Sequence, residues 1–326
     1  MIGGTSHPAG GSVPGAGNSQ RNVIRASSPA KLNLCLAVTG KRADGYHDIR
    51  SLAVSVGLSD TMVFSLTPGS PLSVVFDGGG SDTDAVRIDR DDNLVTRAVR
   101  LLAEFTNKPT DISVVVTKHI PVAAGLGGGS SNAATTLRAC NALWGTNCSV
   151  EALQELGSRL GSDVPLFFSL PAAEIAGRGE RVQPVSLAWD GWCLLVHFPI
   201  AVSTPDVYGA WKPGDGQLNS ELTVSSLCHA DSASAMMPHC VNDLTEAVKR
   251  TCPEVATCQA RLQALELGPF AMTGAGATFF RLYDDYDGAR EAQMKALHAF
   301  GSQESTGTSG AGVQVWTLPV PVREVA

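Results

Sequence analysis

The residues best suited to chemistry run from Pro121 to Ala134, where the chain reads Pro-Val-Ala-Ala-Gly-Leu-Gly-Gly-Gly-Ser-Ser-Asn-Ala-Ala. Such a cluster, followed by two hydroxyls and a helix-forming stretch, can cradle phosphate. Without Cβ atoms the backbone approaches a ligand closely, its N–H groups converge, and the helix N-terminus offers partial positive charge. Spacing excludes two other phosphate-binding patterns. A dinucleotide fingerprint needs a third glycine where this chain has Ser130, and a P-loop needs Ser or Thr after Gly-Lys, whereas Gly40-Lys41 leads into Arg42. Gly78, Gly79 and Gly80, ringed by Asp77, Ser81 and Asp82, read instead as a flexible loop.

Three further groups carry reactive types. Strand alternation sets Lys31 and Asn33 on one face, opposite Leu32 and Leu34, and Tyr46 and His47 follow a glycine turn. Lys31 also reads as an ordinary strand-edge lysine, and Tyr46 with His47 as a hydrogen-bonded pair, but an aromatic ring can stack on a base and an imidazole can read its edge. Asp163, between Gly161 and Pro165, is a turn former by type; facing Lys31, it could stay ionised and accept a proton from a hydroxyl. Residues 273–277 form a second glycine turn that could close the phosphate site from the other half of the chain.

The elements that must position these groups can be read from the pattern. The β-branched run 112–118 predicts a strand, and Ala133 to Trp144 a helix ending at Gly145. Residues 23–38 predict a strand entering a hairpin. Asn93 opens a helix to about Phe105, and Ser149 caps another that stops before Gly161. Strands are expected at Ile175, Val182 to Val185, Trp192 to Phe198 and Val313 to Val322, with helices over 242–250, 253–267 and 287–300. The α/β alternation divides the chain into a tail over 1–22, a first domain over 23–187 carrying the phosphate loop, and a second over 188–326.

With 326 residues and 44% apolar composition the chain can bury a large core. The net charge of −7, without basic clusters, argues against nucleic acid and acidic membranes as partners, while a local basic pocket for a small anionic substrate remains compatible with it. Eight scattered cysteines without a C-x-x-C read as free thiols in a reducing compartment, and no metal set is expected from the Cys228-His229 and His239-Cys240 pairs. A cytoplasmic location follows, with organelle targeting by the Gly/Pro/Ser-rich tail left open.

Taken in order, Ser28 to Asn33, Pro121 to Ala134 and Thr273 to Ala277 resemble the three motifs of the GHMP kinase superfamily. The resemblance implies an α+β two-domain fold, with a ribosomal protein S5 domain 2-like N-terminal domain, a ferredoxin-like C-terminal domain and substrates in the cleft between them. Residues 29–47 and 161–165 further resemble the branch that phosphorylates the 2-hydroxyl of a cytidine-diphosphate-bearing methylerythritol in the non-mevalonate route to isoprenoids. On that resemblance Lys31 and Asp163 are the catalytic pair, Asp163 being the base. Asn33, Tyr46, His47, Thr204 and Tyr208 meet the acceptor, with Tyr46 and Tyr208 stacking on cytosine. Pro121, Ala124, Gly125, Leu126, Gly127, Gly128, Gly129, Ser130, Ser131, Asn93, Gly274 and Gly276 meet ATP, which arrives with Mg²⁺, and the protein is a monomer or weak homodimer. The third motif departs from the pattern at Ala275, where Ser or Thr is common. Other readings are a GHMP kinase for homoserine, mevalonate or a sugar, and a non-catalytic nucleotide-binding protein on the same scaffold.

Overall fold

In a computed structural model of the chain, the described residues are 22–77, 92–216, 220–301 and 312–320. The tail over 1–21, the triple glycine at 78–80 and most of the 301–312 segment lie outside them. Two long strands, β1 (Val23–Lys41) and β2 (His47–Leu66), pair antiparallel through three register shifts, at Pro29/Ala30, Asn33/Cys35 and Val38/Gly40. Around them lie β3 (Ser73–Asp77), β4 (Ile112–Thr117), β5 (Ala172–Gly177) and β6 (Arg181–Pro184), in the order β3-β4-β2-β5-β6 with β1 on β2.

Helices α1 (Leu94–Thr106), α2 (Gly128–Trp144) and α3 (Val150–Leu160) share a core with this sheet, built on Phe64, Val99, Leu102, Val114 and Leu137. Asn93 caps α1 by accepting the Thr96 N–H, and Ser149 caps α3 by accepting that of Ala152. Helix α2 starts five positions earlier than its alanines predict, inside the glycine cluster. Glycine is a poor helix former, so composition hides this first turn.

The second half holds β7 (Gly191–His197), α4 (Thr204–Ala210), α5 (Ser220–His229), α6 (Ala233–Met236), α7 (Thr245–Thr251), α8 (Glu254–Gln263), β8 (Ala271–Thr273), β9 (Thr278–Tyr283), α9 (Tyr286–Phe300) and β10 (Gln314–Val320). Its sheet runs β10-β7-β9-β8, antiparallel throughout. Alternation divides β7 between two cores. Leu194 and Val196 pack with Leu262 and Leu297 beneath the helices, whereas Cys193 and Leu195 pack with Leu32, Leu34 and Leu126 of the first half. The two halves therefore share an apolar core, and β1 runs along it. The predicted helix over 253–267 stops at Gln263, because Glu266 and Gly268 adopt positive φ (54° and 91°). Short α4, α5 and α6 leave no apolar periodicity in the sequence, α4 having a single buried residue, Val207.

Candidate active site

The glycine cluster joins the end of β4 to α2. Gly125 (φ 74°) and Gly127 (φ 71°) occupy the left-handed region. A Cβ on Gly125 would lie 2.8 Å from the Thr273 carbonyl oxygen, and one on Gly127 would lie 2.9 Å from Phe167 Cζ and 3.0 Å from Lys31 Cγ. Both positions require glycine for shape as well as for φ. No side chain caps α2 and its first turn holds no acidic residue, so its amide end remains suited to an anion. The turn borders a cavity of about 310 Å³ lined by Asn93, Lys118, Pro121, Ala124, Gly125, Leu126, Gly127, Gly128, Gly129 and Ser130.

Ser131 lies apart from that lining. It is wholly buried and its hydroxyl accepts a 2.7 Å hydrogen bond from Ser28. Ser28 in turn accepts from Asn132 Nδ2 (2.9 Å), which also donates to Asp60 (2.9 Å). Asp60 is fully buried, pairs with Lys118 and takes the N–H groups of His119 (2.8 Å) and Ile120 (2.9 Å). Four donors satisfy its charge, and β1, β2, the loop entry and the start of α2 are fixed to one another. Spacing does not betray this network, which joins four separate stretches of the chain, at Ser28, Asp60, Lys118 to Ile120 and Ser131 with Asn132.

A larger cleft of about 650 Å³ adjoins it, lined by Lys31, Asn33, Tyr46, His47, Asp163, Thr204, Tyr208, Gly125, Gly127, Gly274 and Ala275 among others. Gly125 and Gly127 thus border both spaces. Lys31 is tied to the turn by its own N–H, which donates to the Leu126 carbonyl (3.0 Å), and its ammonium is held by Asn33 Oδ1. Asn33 completes its amide by donating to Ser51 (2.8 Å), so the group expected to touch substrate also orients the lysine. Burial pulls the Lys31 pKa below its ordinary value, and the negative charge of Asp163 opposes that shift. Asp163 sits on the turn between α3 and Pro165, where the Val164 N–H donates to Gly161 (3.2 Å).

At the far end of the cleft Tyr46 is 56% exposed, with the Arg178 guanidinium 4.8 Å from its ring centroid. His47 is buried beside Tyr208 (5.4 Å between centroids) and Trp211 (5.6 Å). Burial lowers its pKa, with Lys41 adding in the same direction, and burial likewise raises that of Tyr208. Sequence reasoning missed Arg178 and Trp211. The signal for Arg178 was its place between Gly177 and Gly179, both at positive φ.

The second glycine turn meets the first backbone to backbone: a Cβ on Gly274 would lie 2.9 Å from the Gly125 carbonyl oxygen. Asn242 Nδ2 supports this turn by donating to the carbonyls of Met272 (3.0 Å) and Gly274 (2.8 Å). Gly274 and Ala275 line the larger cleft, whereas Gly276 lines neither space and packs on Met272.

The pattern for the GHMP kinases N terminal domain matches residues 93–169, and that for the GHMP kinases C terminal region matches residues 225–302. The 4-diphosphocytidyl-2-C-methyl-D-erythritol kinase of Thermodesulfovibrio yellowstonii is 33% identical over 273 residues, covering 81% of this chain and 90% of that protein. The protein of the same name from Rhodospirillum rubrum is 37% identical over 282 residues, covering 86% and 90%. The chain belongs to the 4-diphosphocytidyl-2-C-methyl-D-erythritol kinase family. A crystal structure of a 4-(cytidine 5'-diphospho)-2C-methyl-D-erythritol kinase superposes with a TM-score of 0.70 at 32% identity, covering 92% of this chain and all of that one. The fold is the two-domain GHMP kinase fold expected from the three motifs. Kinases of this family need a donor site and an acceptor site in contact, and the two spaces meeting at Gly125 and Gly127 have that arrangement. Among the described residues, no helix is long and apolar enough to cross a membrane.

Proposed function

We infer that this chain transfers the γ-phosphoryl group of ATP to the 2-hydroxyl of 4-diphosphocytidyl-2-C-methyl-D-erythritol, giving the 2-phosphate and ADP. One observation carries the reading: a space bordered by the glycine turn and a cleft bordered by charged and aromatic side chains share Gly125 and Gly127, with Lys31 and Asp163 on the cleft side of that junction. ATP phosphates rest on the turn and the α2 N-terminus, with the base toward Asn93 and Leu94. Cytosine lies between Tyr46 and Tyr208 and within reach of His47, which directs the erythritol toward Asp163.

Phosphoryl transfer asks the protein mainly to position two substrates and stabilise charge on the equatorial oxygens. Asp163 accepts the proton of the hydroxyl, whose oxygen forms a bond to the γ-phosphorus as the bond to the β-bridging oxygen breaks. Lys31, held by Asn33 and by Leu126, positions that carboxylate and offsets charge developing beside it. Among the described residues no group of three or more His, Cys, Asp or Glu side chains forms a metal cage. Mg²⁺ would arrive carried on the nucleotide, Ser130 of the turn and Asp163 of the cleft would offer it oxygens, and the ion would supply charge neutralisation.

The test is ADP formation from MgATP with a panel of alcohols: the cytidine diphosphate compound, homoserine, mevalonate and galactose. Turnover is expected with the first alone. Folded protein that turns over another member instead, or none, overturns the reading.

A further inference from the structure

Thr273 and Thr278 face each other across the β8–β9 pair, bracketing the second glycine turn, and both are wholly buried. Each reaches into the first half of the chain. Thr273 Oγ1 accepts the Asn33 N–H (2.9 Å), and Thr278 Oγ1 donates to the Ala124 carbonyl (2.7 Å). Behind Thr278 stands His197, its partner on β7, with Nδ1 at 2.9 Å from the same hydroxyl.

A threonine hydroxyl has one proton, and here it goes to Ala124, so the bond to His197 can form only if Nδ1 carries the hydrogen. The chain of donors therefore has one direction: imidazole to hydroxyl to loop carbonyl. The surroundings are apolar, with Val196, Phe279 and Phe280 all within 1% of full burial. An aliphatic pair would fill such a place without desolvating two polar groups, so stability alone does not account for the polar pair. Ala124 directly precedes Gly125, so the carbonyl that Thr278 holds lies next to a glycine that borders both spaces.

We propose that Thr278 and His197 are positioning residues of the transfer reaction, a latch by which the C-terminal half holds the phosphate loop in register with Lys31 and Asp163. The proposal rests on reading residues 121–130 as the nucleotide site. Loosening the latch displaces donor phosphates while leaving the cytidine pocket, formed around Tyr46 and Tyr208, intact.

The experiment compares the parent with Thr278→Val, which keeps the shape and removes the hydroxyl, and Thr278→Ser, which restores it. The Val variant is expected to lose about tenfold or more in kcat/KM for ATP, with the KM for the cytidine substrate changed less than about twofold. The Ser variant is expected to recover most of that loss. A Val variant within about twofold of the parent, a KM for the cytidine substrate raised as much as that for ATP, or failure of Ser to rescue a folded protein overturns the latch. Nitrogen-15 NMR of His197 in the parent tests the geometry independently of any variant's folding: a protonated Nδ1 and a bare Nε2 are expected, and the opposite tautomer refutes it. A parent that turns over no cytidine substrate overturns the functional reading instead, while calorimetric ATP affinities of the three proteins and the tautomer still decide the latch.

Discussion

The two spaces that meet at Gly125 and Gly127 are built from different material. The smaller one, proposed for the donor, is built on a glycine turn and the first turn of α2, with a buried polar network beneath. The larger one, proposed for the acceptor, is lined by charged and aromatic side chains that include Lys31, Asp163, Tyr46, His47 and Tyr208. A common donor asks only for amides and shape, whereas a particular acceptor must be read by groups that can be chosen one at a time. Substitutions should therefore act differently on the two sides. On the donor side they perturb geometry and every turnover, and on the acceptor side they remove one defined contact.

The largest effect is expected from Asp163→Ala, which removes the proposed base. Turnover should fall by about 10²- to 10⁴-fold while ATP affinity, measured by calorimetry, survives. Near-parental turnover would sink the role given to Asp163. Next comes Gly127→Ala, which forces an L-residue into φ 71° and drives a methyl against Lys31 and Phe167. Because it moves the turn and the lysine together, kcat should drop on the order of 100-fold with ATP affinity also reduced. An intact kcat would show that the two sides are less tightly joined than the contact implies.

Tyr46→Ala should raise the KM for the cytidine substrate about tenfold, the worth of one base–aromatic stack, and leave the KM for ATP unchanged. A change in the ATP constant instead would break the division between the sides. The smallest effect concerns stability rather than rate. Burial lowers the His197 pKa to about 4 from an ordinary 6.5. The unfolded chain therefore takes up the proton first, so the contribution is full above 6.5 and is lost as the pH falls toward 4. Urea titrations should show His197→Asn, which keeps a donor for Thr278 but cannot titrate, reducing the acid slope by up to about 1.4 kcal/mol per pH unit. An unchanged slope would mean that His197 is more accessible than its burial indicates.

What was legible in the sequence follows the same division. Residues 121–134 could be found because a left-handed turn against a neighbouring chain admits only glycine, and such a demand leaves a local mark. Lys31, Asp163, Tyr46 and His47 have ordinary explanations singly and were singled out through their company in a known set of motifs, and the structure gathers all four on one cleft. The supports were hidden. Ser28 and Ser131 stand 103 residues apart, Thr278 and Ala124 stand 154 apart, and no periodicity connects such pairs. The hydroxyl of Ser131 belongs with these supports, since the inward face of α2 buries it under Ser28. The start of α2 differs from the expected one for a related reason: its first residues, Gly128 and Gly129, continue the glycine turn at the expense of helix propensity.

The contact of Gly125 with Gly274 bears on how this enzyme could be inhibited and how it could escape. A compound seated on the turn would bind main-chain amides, which only proline removes, and proline cannot adopt the positive φ of Gly125 and Gly127. At the two glycines that touch, any side chain would have to enter a backbone 2.8 to 2.9 Å away, leaving little room for a resistant yet active variant. A compound gripping Tyr46 or Arg178 at the exposed rim meets residues that can be exchanged without moving the frame. Durable inhibitors of this fold should thus place their affinity on the turn and only their selectivity on the rim.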